Sequence, residues 1–216
     1  MANVTTWSNV AVAIESAAAG GITINSISKA SPGVVGYTGT DPSNGDYVKL
    51  SVQGMNQVDG RVFRVANVNG AGNTFELEGE NTTSYNTFSS GAFSVLTMGT
   101  SLTTATSVTA SGGDFSFIDT TTIHDSVAKQ VPGLASAAVF TFENIWDVSD
   151  TGLVALKAAY DAQSKRAFKF TFGTGGQIMV FLGYVGANLL PGGQAQDKVT
   201  TPSAITMFGS PTYYAS

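Results

Sequence analysis

"RAFKFTFGTGGQIMVFLGYVGA", residues 166–187, carries the pattern from which the fold of this chain is read. Phe168, Phe170 and Phe172 alternate with Lys169 and Thr171, which is the period of a strand with one buried face. Gly173-Thr174-Gly175-Gly176 then predicts a hairpin turn, and "QIMVFLGYV" (177–185) predicts the returning strand. That strand is apolar on both faces. In a β domain of this size its second face needs a cover, either a helix or a neighbouring subunit. The side chains expected to line an inner barrel or an interface are Phe168, Phe170, Phe172, Ile178, Val180, Leu182 and Tyr184.

Upstream, "SDTGLVALKAAYDAQSK" predicts the one helix, over about 150–162. Ser149 or Asp150 is placed to cap it, Leu153, Leu156, Ala159 and Tyr160 share a face, and Lys165 and Arg166 follow near its end. A helix of this kind lies on a sheet. Downstream, "ITMFG" (205–209) predicts a further strand before a polar end.

The text from Ile22 to Thr97 has a different rhythm. Five strand-like runs, "ITINSIS" (22–28), "GVVGYT" (33–38), "YVKLSVQ" (47–53), "RVFRVANV" (61–68) and "TFELEG" (74–79), are separated by Ser31-Pro32-Gly33, Ser43-Asn44-Gly45-Asp46, Asp59-Gly60 and Asn69-Gly70-Ala71-Gly72. They predict a small β-barrel. The expected organisation is an N-terminal segment (1–21), this barrel (22–97) and a second β domain (98–216) that the first segment joins.

Composition narrows the function. The 216 residues suffice for one large β domain or two modest ones. Charged residues make up 12%, about half the usual share, and Ser, Thr and Asn fill most polar positions. Such a surface suits packing against other subunits, because burying a hydroxyl costs far less than burying an unpaired charge. A net charge of −5 argues against tight wrapping of nucleic acid. With no cysteine there is no disulfide, thiolate metal site or cysteine nucleophile. The start lacks a basic n-region, and Glu15 interrupts the apolar run Val10–Ile14, so the chain is expected to begin near Met1 without export or membrane insertion.

The single histidine lies in "IDTTTIHDSVAKQVPGL" (118–134), next to Asp125 and Ser126. Consecutive residues of a strand face opposite sides, whereas a nucleophilic triad converges from separate elements, so catalysis is not expected here. "GTGG" (173–176) precedes a strand and reads as a turn, not a phosphate cradle, and no acidic spacing resembles a calcium loop. Phe168, Phe170 and Phe172 lack the basic groove of a nucleic-acid stacking platform. Glu143 and Asp147 are the only pair suggesting sugar chemistry, without a cleft pattern around them. No catalytic, cofactor or metal residue is assigned.

The stretch "FIDTTTIHDSVAKQVPGLASAAVFTFENIWDVSDTGLVALKAAY" (117–160), with the Phe-rich hairpin, "FLGYVG" and "DKVTTPSAITMFGSPTYY" (197–214), resembles the tail tube proteins of long-tailed bacteriophages. The family pattern falls on Asp119, Thr121, Thr122, Asp125, Lys129, Pro132, Gly133, Leu134, Asp147 and the helix. The stretch 45–79 also resembles a β-barrel module of phage tail proteins named for a half-domain of ubiquitin-activating enzymes, through "NGDYV" (44–48), "GMNQVDGRVFRV" (54–65) and "NTFELEG" (73–79). Its expected role is surface decoration.

The resemblance implies a mainly β fold: a tail-tube-type sandwich or barrel with one packed helix and an inserted small barrel. It implies a structural virion protein, not an enzyme, assembled in the host cytoplasm into stacked hexameric rings. Partners would be further copies and a tape measure, terminator and distal tail protein, with DNA passing through unbound by sequence. It also turns the 118–134 segment into an expected extended loop, with His124 in it and a fixed turn at Pro132-Gly133, that reaches a neighbouring subunit or ring. A tail terminator, a contractile-type inner tube and a glycan-binding surface module are the alternatives.

Overall fold

The returning strand of the 166–187 hairpin is covered on both faces by its own chain. A computed structural model describes residues 7–173 and 176–215. Residues 1–6 of the expected N-terminal segment, Thr174 and Gly175 of the expected turn, and residue 216 lie outside the described residues.

The chain runs β1 (Val10–Ile14), β2 (Ala17–Ala18), β3 (Ile22–Ile27), β4 (Val34–Thr38), β5 (Tyr47–Gln53), β6 (Val62–Asn69), β7 (Thr74–Leu77) and β8 (Ser90–Thr97). It continues through β9 (Thr100–Ser101), β10 (Ala105–Ser111), β11 (Phe115–Asp119), β12 (Gln130–Ala135) and β13 (Val139–Ile145). The helix α1 (Thr151–Asp161), β14 (Arg166–Phe172), β15 (Ile178–Gly186) and β16 (Thr200–Tyr214) complete it. The fold is mainly β, with a closed six-stranded barrel and a half-barrel sheet.

The barrel closes in the order β8-β3-β4-β7-β6-β5, with β5 returning to β8. The five runs expected from the sequence are all strands of it. The closing strand β8 was not among them. It pairs on one side with β3 through Ile22↔Phe93 and on the other with β5 from Tyr47↔Leu96 to Gln53↔Ser90. Gly91 is required in it, since a Cβ there would lie 2.6 Å from the Ser51 carbonyl oxygen and 2.8 Å from the Val52 Cα. Inside, Tyr37, Phe75 and Phe93 pack ring to ring at centroid distances of 5.1 to 5.7 Å.

The half-barrel sheet has the order β10-β13-β16-β15-β14-β1-β9. Its inner face gathers Phe140, Phe142, Phe168, Phe170 and Phe181, and α1 adds Leu153, Leu156 and Ala159 to the same core. Asp150 caps the helix by accepting from the Leu153 amide at 2.9 Å. Tyr160, expected on the buried face, is exposed. Lys165 and Arg166 lie past the helix, which ends at Asp161 and turns through Gln163 at φ 47°. Arg166 opens β14 and the Lys165 ammonium sits 3.9 Å from the centre of the Phe208 ring.

The cover on the second face of β15 is neither helix nor neighbour. Val180 and Leu182, with Ala167 and Tyr214, pack against Tyr47, Val62 and Leu96 of the barrel. Each such aliphatic side chain contributes roughly 1.5–3 kcal/mol by burial. Arg64 and Arg61 of the barrel side also reach β16: the Arg64 amide donates to the Tyr214 hydroxyl at 2.6 Å, and the Arg61 guanidinium donates to the Thr212 hydroxyl at 3.5 Å. Where the chain passes from β1 to the barrel, Glu15 is buried, its amide donating to the Ala167 carbonyl and its carboxylate accepting from the Ala167 amide at 2.8 Å.

Candidate assembly surfaces

Between β10 and β13 the chain leaves the half-barrel sheet as an arm. Gly112 and Gly113 make the exit at φ 81° and 85°, and a Cβ on Gly112 would lie 2.4 Å from the Ala137 carbonyl oxygen. Beyond them β11 and β12 pair, among the described residues, only with each other, in the register Phe117↔Pro132, Ile118↔Val131 and Asp119↔Gln130. The segment expected as a Thr-rich loop ending in a Pro-Gly turn is therefore a hairpin, with Pro132 and Gly133 inside β12. A two-stranded ribbon has a free edge on each strand, so a proline there need not cost a ladder hydrogen bond.

The arm is built for exposure, yet much of it is apolar. Phe115, Phe117, Ile118, Val127 and Val131 are exposed, Ile123 is 97% exposed and Leu134 is 88% exposed. Apolar side chains on a projecting ribbon gain nothing from their own chain, which makes the arm a candidate contact surface.

The arm's tip is ordered by its own polar groups. Asp119 accepts from the Thr121 amide at 2.8 Å, and Asp125 accepts from the Thr122 amide and hydroxyl, both at 2.9 Å, and from the Lys129 ammonium. The Thr121 hydroxyl accepts from the Lys129 amide at 2.9 Å, and the Thr120 amide donates across to the Lys129 carbonyl at 2.9 Å. The Thr121 hydroxyl and amide hold Asp119 below the usual carboxylate range, and Lys129, then the Thr122 amide and hydroxyl, do the same for Asp125. Both acids stay charged and satisfied. His124 and Ser126 are exposed beside them, with no convergent triad.

A second surface is the outer edge of β10, "ATSVTAS" (105–111). β10 pairs with β13 alone among the described residues, so one row of its backbone donors and acceptors is open, and no charge or proline blunts it.

The hairpin set divides. Phe168, Phe170 and Val180 are fully buried and Leu182 nearly so, all by the chain's own residues. Phe172 and Ile178 are half-buried, and Phe172 meets the Trp7 ring at 5.8 Å. Tyr184 is exposed and packs edge-on to Phe208.

A third surface was missed by the sequence reading. A groove of about 430 Å³ runs along α1, lined by Trp146, Val148, Leu153, Val154, Ala158 and Leu189 with Asp147, Lys157, Asp161 and Asn188. Its signal was Val154, an apolar residue off the buried helix face. Asp147 is held low by the hydroxyl and amide of Ser149, and Lys157 pairs with Asp161 one turn on. Glu143, the other half of the acid pair considered above, is half-buried in β13. Among the described residues no cluster of three or more His, Cys, Asp or Glu could hold a metal, and no helix is long and apolar enough to cross a membrane.

A family profile described as phage tail tube protein matches residues 53–216. The match starts at the last residue of β5 and takes in β6 to β8 of the barrel, the arm and all of the half-barrel sheet after β8. No curated protein sequence matches the chain.

Proposed function

From the premise that this chain belongs to the phage tail tube protein family, and so is a structural protein of a bacteriophage tail, we propose that copies close into hexameric rings that stack as the tube and form the conduit for DNA ejection. The observation that carries this reading beyond the family match is the pairing of an open, uncharged β10 edge with an arm of exposed apolar side chains. Edge pairing between copies would remove a strand edge that otherwise invites uncontrolled association, and the arm would tie one ring to its neighbour. Asp119, Thr121, Thr122, His124, Asp125, Lys129, Pro132, Gly133 and Leu134 are the proposed contact segment.

The barrel is proposed to decorate the outside of the tube, because a body of this size within the conduit would obstruct DNA. The net charge of −5 supports a lumen that repels phosphate and lets DNA slide. Assembly in the host cytoplasm, with tape measure, terminator and distal tail proteins as partners, completes the proposal.

Sedimentation velocity over a range of concentrations tests it. Species that grow without limit support a tube subunit. A single closed ring that adds no further copies would favour a tail terminator instead.

A further inference from the structure

The arm and the α1 groove sit at opposite ends of one strand. The arm returns to the sheet at Val139, the first residue of β13, while the groove begins at Trp146, just past its last residue. Seven residues of strand separate them by about 20 Å. Within one chain the tip is not seated, since Ile123 is 97% exposed. A donor at one end of a subunit and an acceptor at the other is head-to-tail geometry, which propagates along an axis.

Each surface also satisfies its polar groups within itself. At the tip, Asp119 and Asp125 are consumed by Thr121, Thr122 and Lys129, leaving Ile123 and Val127 to face outward. In the groove, Lys157 is taken by Asp161 and Asp147 by Ser149. The apolar side chains on both sides can meet with these hydrogen bonds intact, and the excess of one acid that each surface holds is a repulsion that salt screens.

We propose that the α1 groove is the seat for the arm tip of a second copy, with Ile123 and Val127 entering among Trp146, Val148 and Val154. This rests on the stacked-ring reading and names the two surfaces that join one ring to the next.

The absence of cysteine makes the test clean. Ile123→Cys and Val154→Cys chains are purified separately, mixed under assembling conditions and treated with a short bismaleimide. A cross-linked dimer in the mixture, well above the amount in either variant alone, is expected. A mixture of Ile123→Cys and Ser84→Cys, the latter exposed on the barrel away from both surfaces, should stay uncross-linked. Because Cys at 123 removes part of the tip, Val154→Glu is tested alongside, and loss of stacking with an unchanged melting curve is expected. Stacked assemblies without the 123–154 cross-link, or normal stacking by Val154→Glu, overturn the groove assignment while leaving the tube reading intact. Wild-type chains that never stack overturn both.

Discussion

The Arg64 backbone amide donates to the Tyr214 hydroxyl at 2.6 Å, joining the barrel to the end of β16 across 150 positions of sequence. The Arg64 guanidinium lies 4.7 Å from the centre of the same ring and pairs with Glu78. Leu182 and Val180 lie in the same shared cluster as Tyr214.

Tyr214→Phe keeps the ring and removes the acceptor. A partly buried amide left unpaired costs about 1–3 kcal/mol. Leu182→Ala, in the same seam, is expected to cost about 2–5 kcal/mol. Urea unfolding of each variant reads both losses, and a Leu182→Ala chain as stable as the wild type would mean that the seam contributes little.

Glu15→Ala removes the carboxylate that accepts from the buried Ala167 amide. A loss of about 1.5–3 kcal/mol is expected, since the accepting group is charged. Glu15→Gln, which keeps an acceptor oxygen, should recover part of it in the same urea titration.

The Tyr37 hydroxyl is pushed up to about 12, chiefly by burial and then by its hydrogen bond to Asp41 and that carboxylate's charge. Unfolded tyrosine ionises near 10. The stability this group contributes is therefore present below about pH 10 and is lost as pH rises toward 12, because the unfolded chain sheds its proton first. Thermal melts from pH 8 to pH 12 should show a steeper alkaline decline for the wild type than for Tyr37→Phe. Equal slopes would count against the assignment.

Leu134→Glu is expected to abolish or sharply reduce assembly without lowering the melting temperature, since the side chain is exposed and touches no core. His124→Ala should assemble normally. Gel filtration with parallel melting curves checks both, and full assembly by Leu134→Glu would remove the arm from the interface.

Much of the architecture was legible because its strands alternate. "YVKLSVQ" is β5 to the residue, with Val48, Leu50 and Val52 buried and Ser51 and Gln53 exposed. The failures have physical causes. β8 carries Gly91 for close approach and small residues at Ser90, Ala92 and Ser94, so "SGAFSVLT" shows only a weak period. β10 is rich in Ser, Thr and Ala because its outer surface faces no core, and hydrophobic periodicity cannot find such a strand. β16 runs fifteen residues through Pro202, Gly209 and Pro211, and the apolar pattern marks only 205–209 of it. The two apolar faces of β15 were readable, but their cover was not, because it comes from Tyr47, Val62 and Leu96 far back in the chain. The arm's residues were singled out from the sequence. Their pairing as a hairpin needed the β11–β12 register.

The most direct test of the central claim is negative-stain electron microscopy of the purified chain over a range of concentrations. The account predicts hollow rings that stack into tubes of increasing length, with extra density from the barrel on the outside. Dispersed monomers at every concentration, including those at which Leu134→Glu and wild type behave alike, would contradict it.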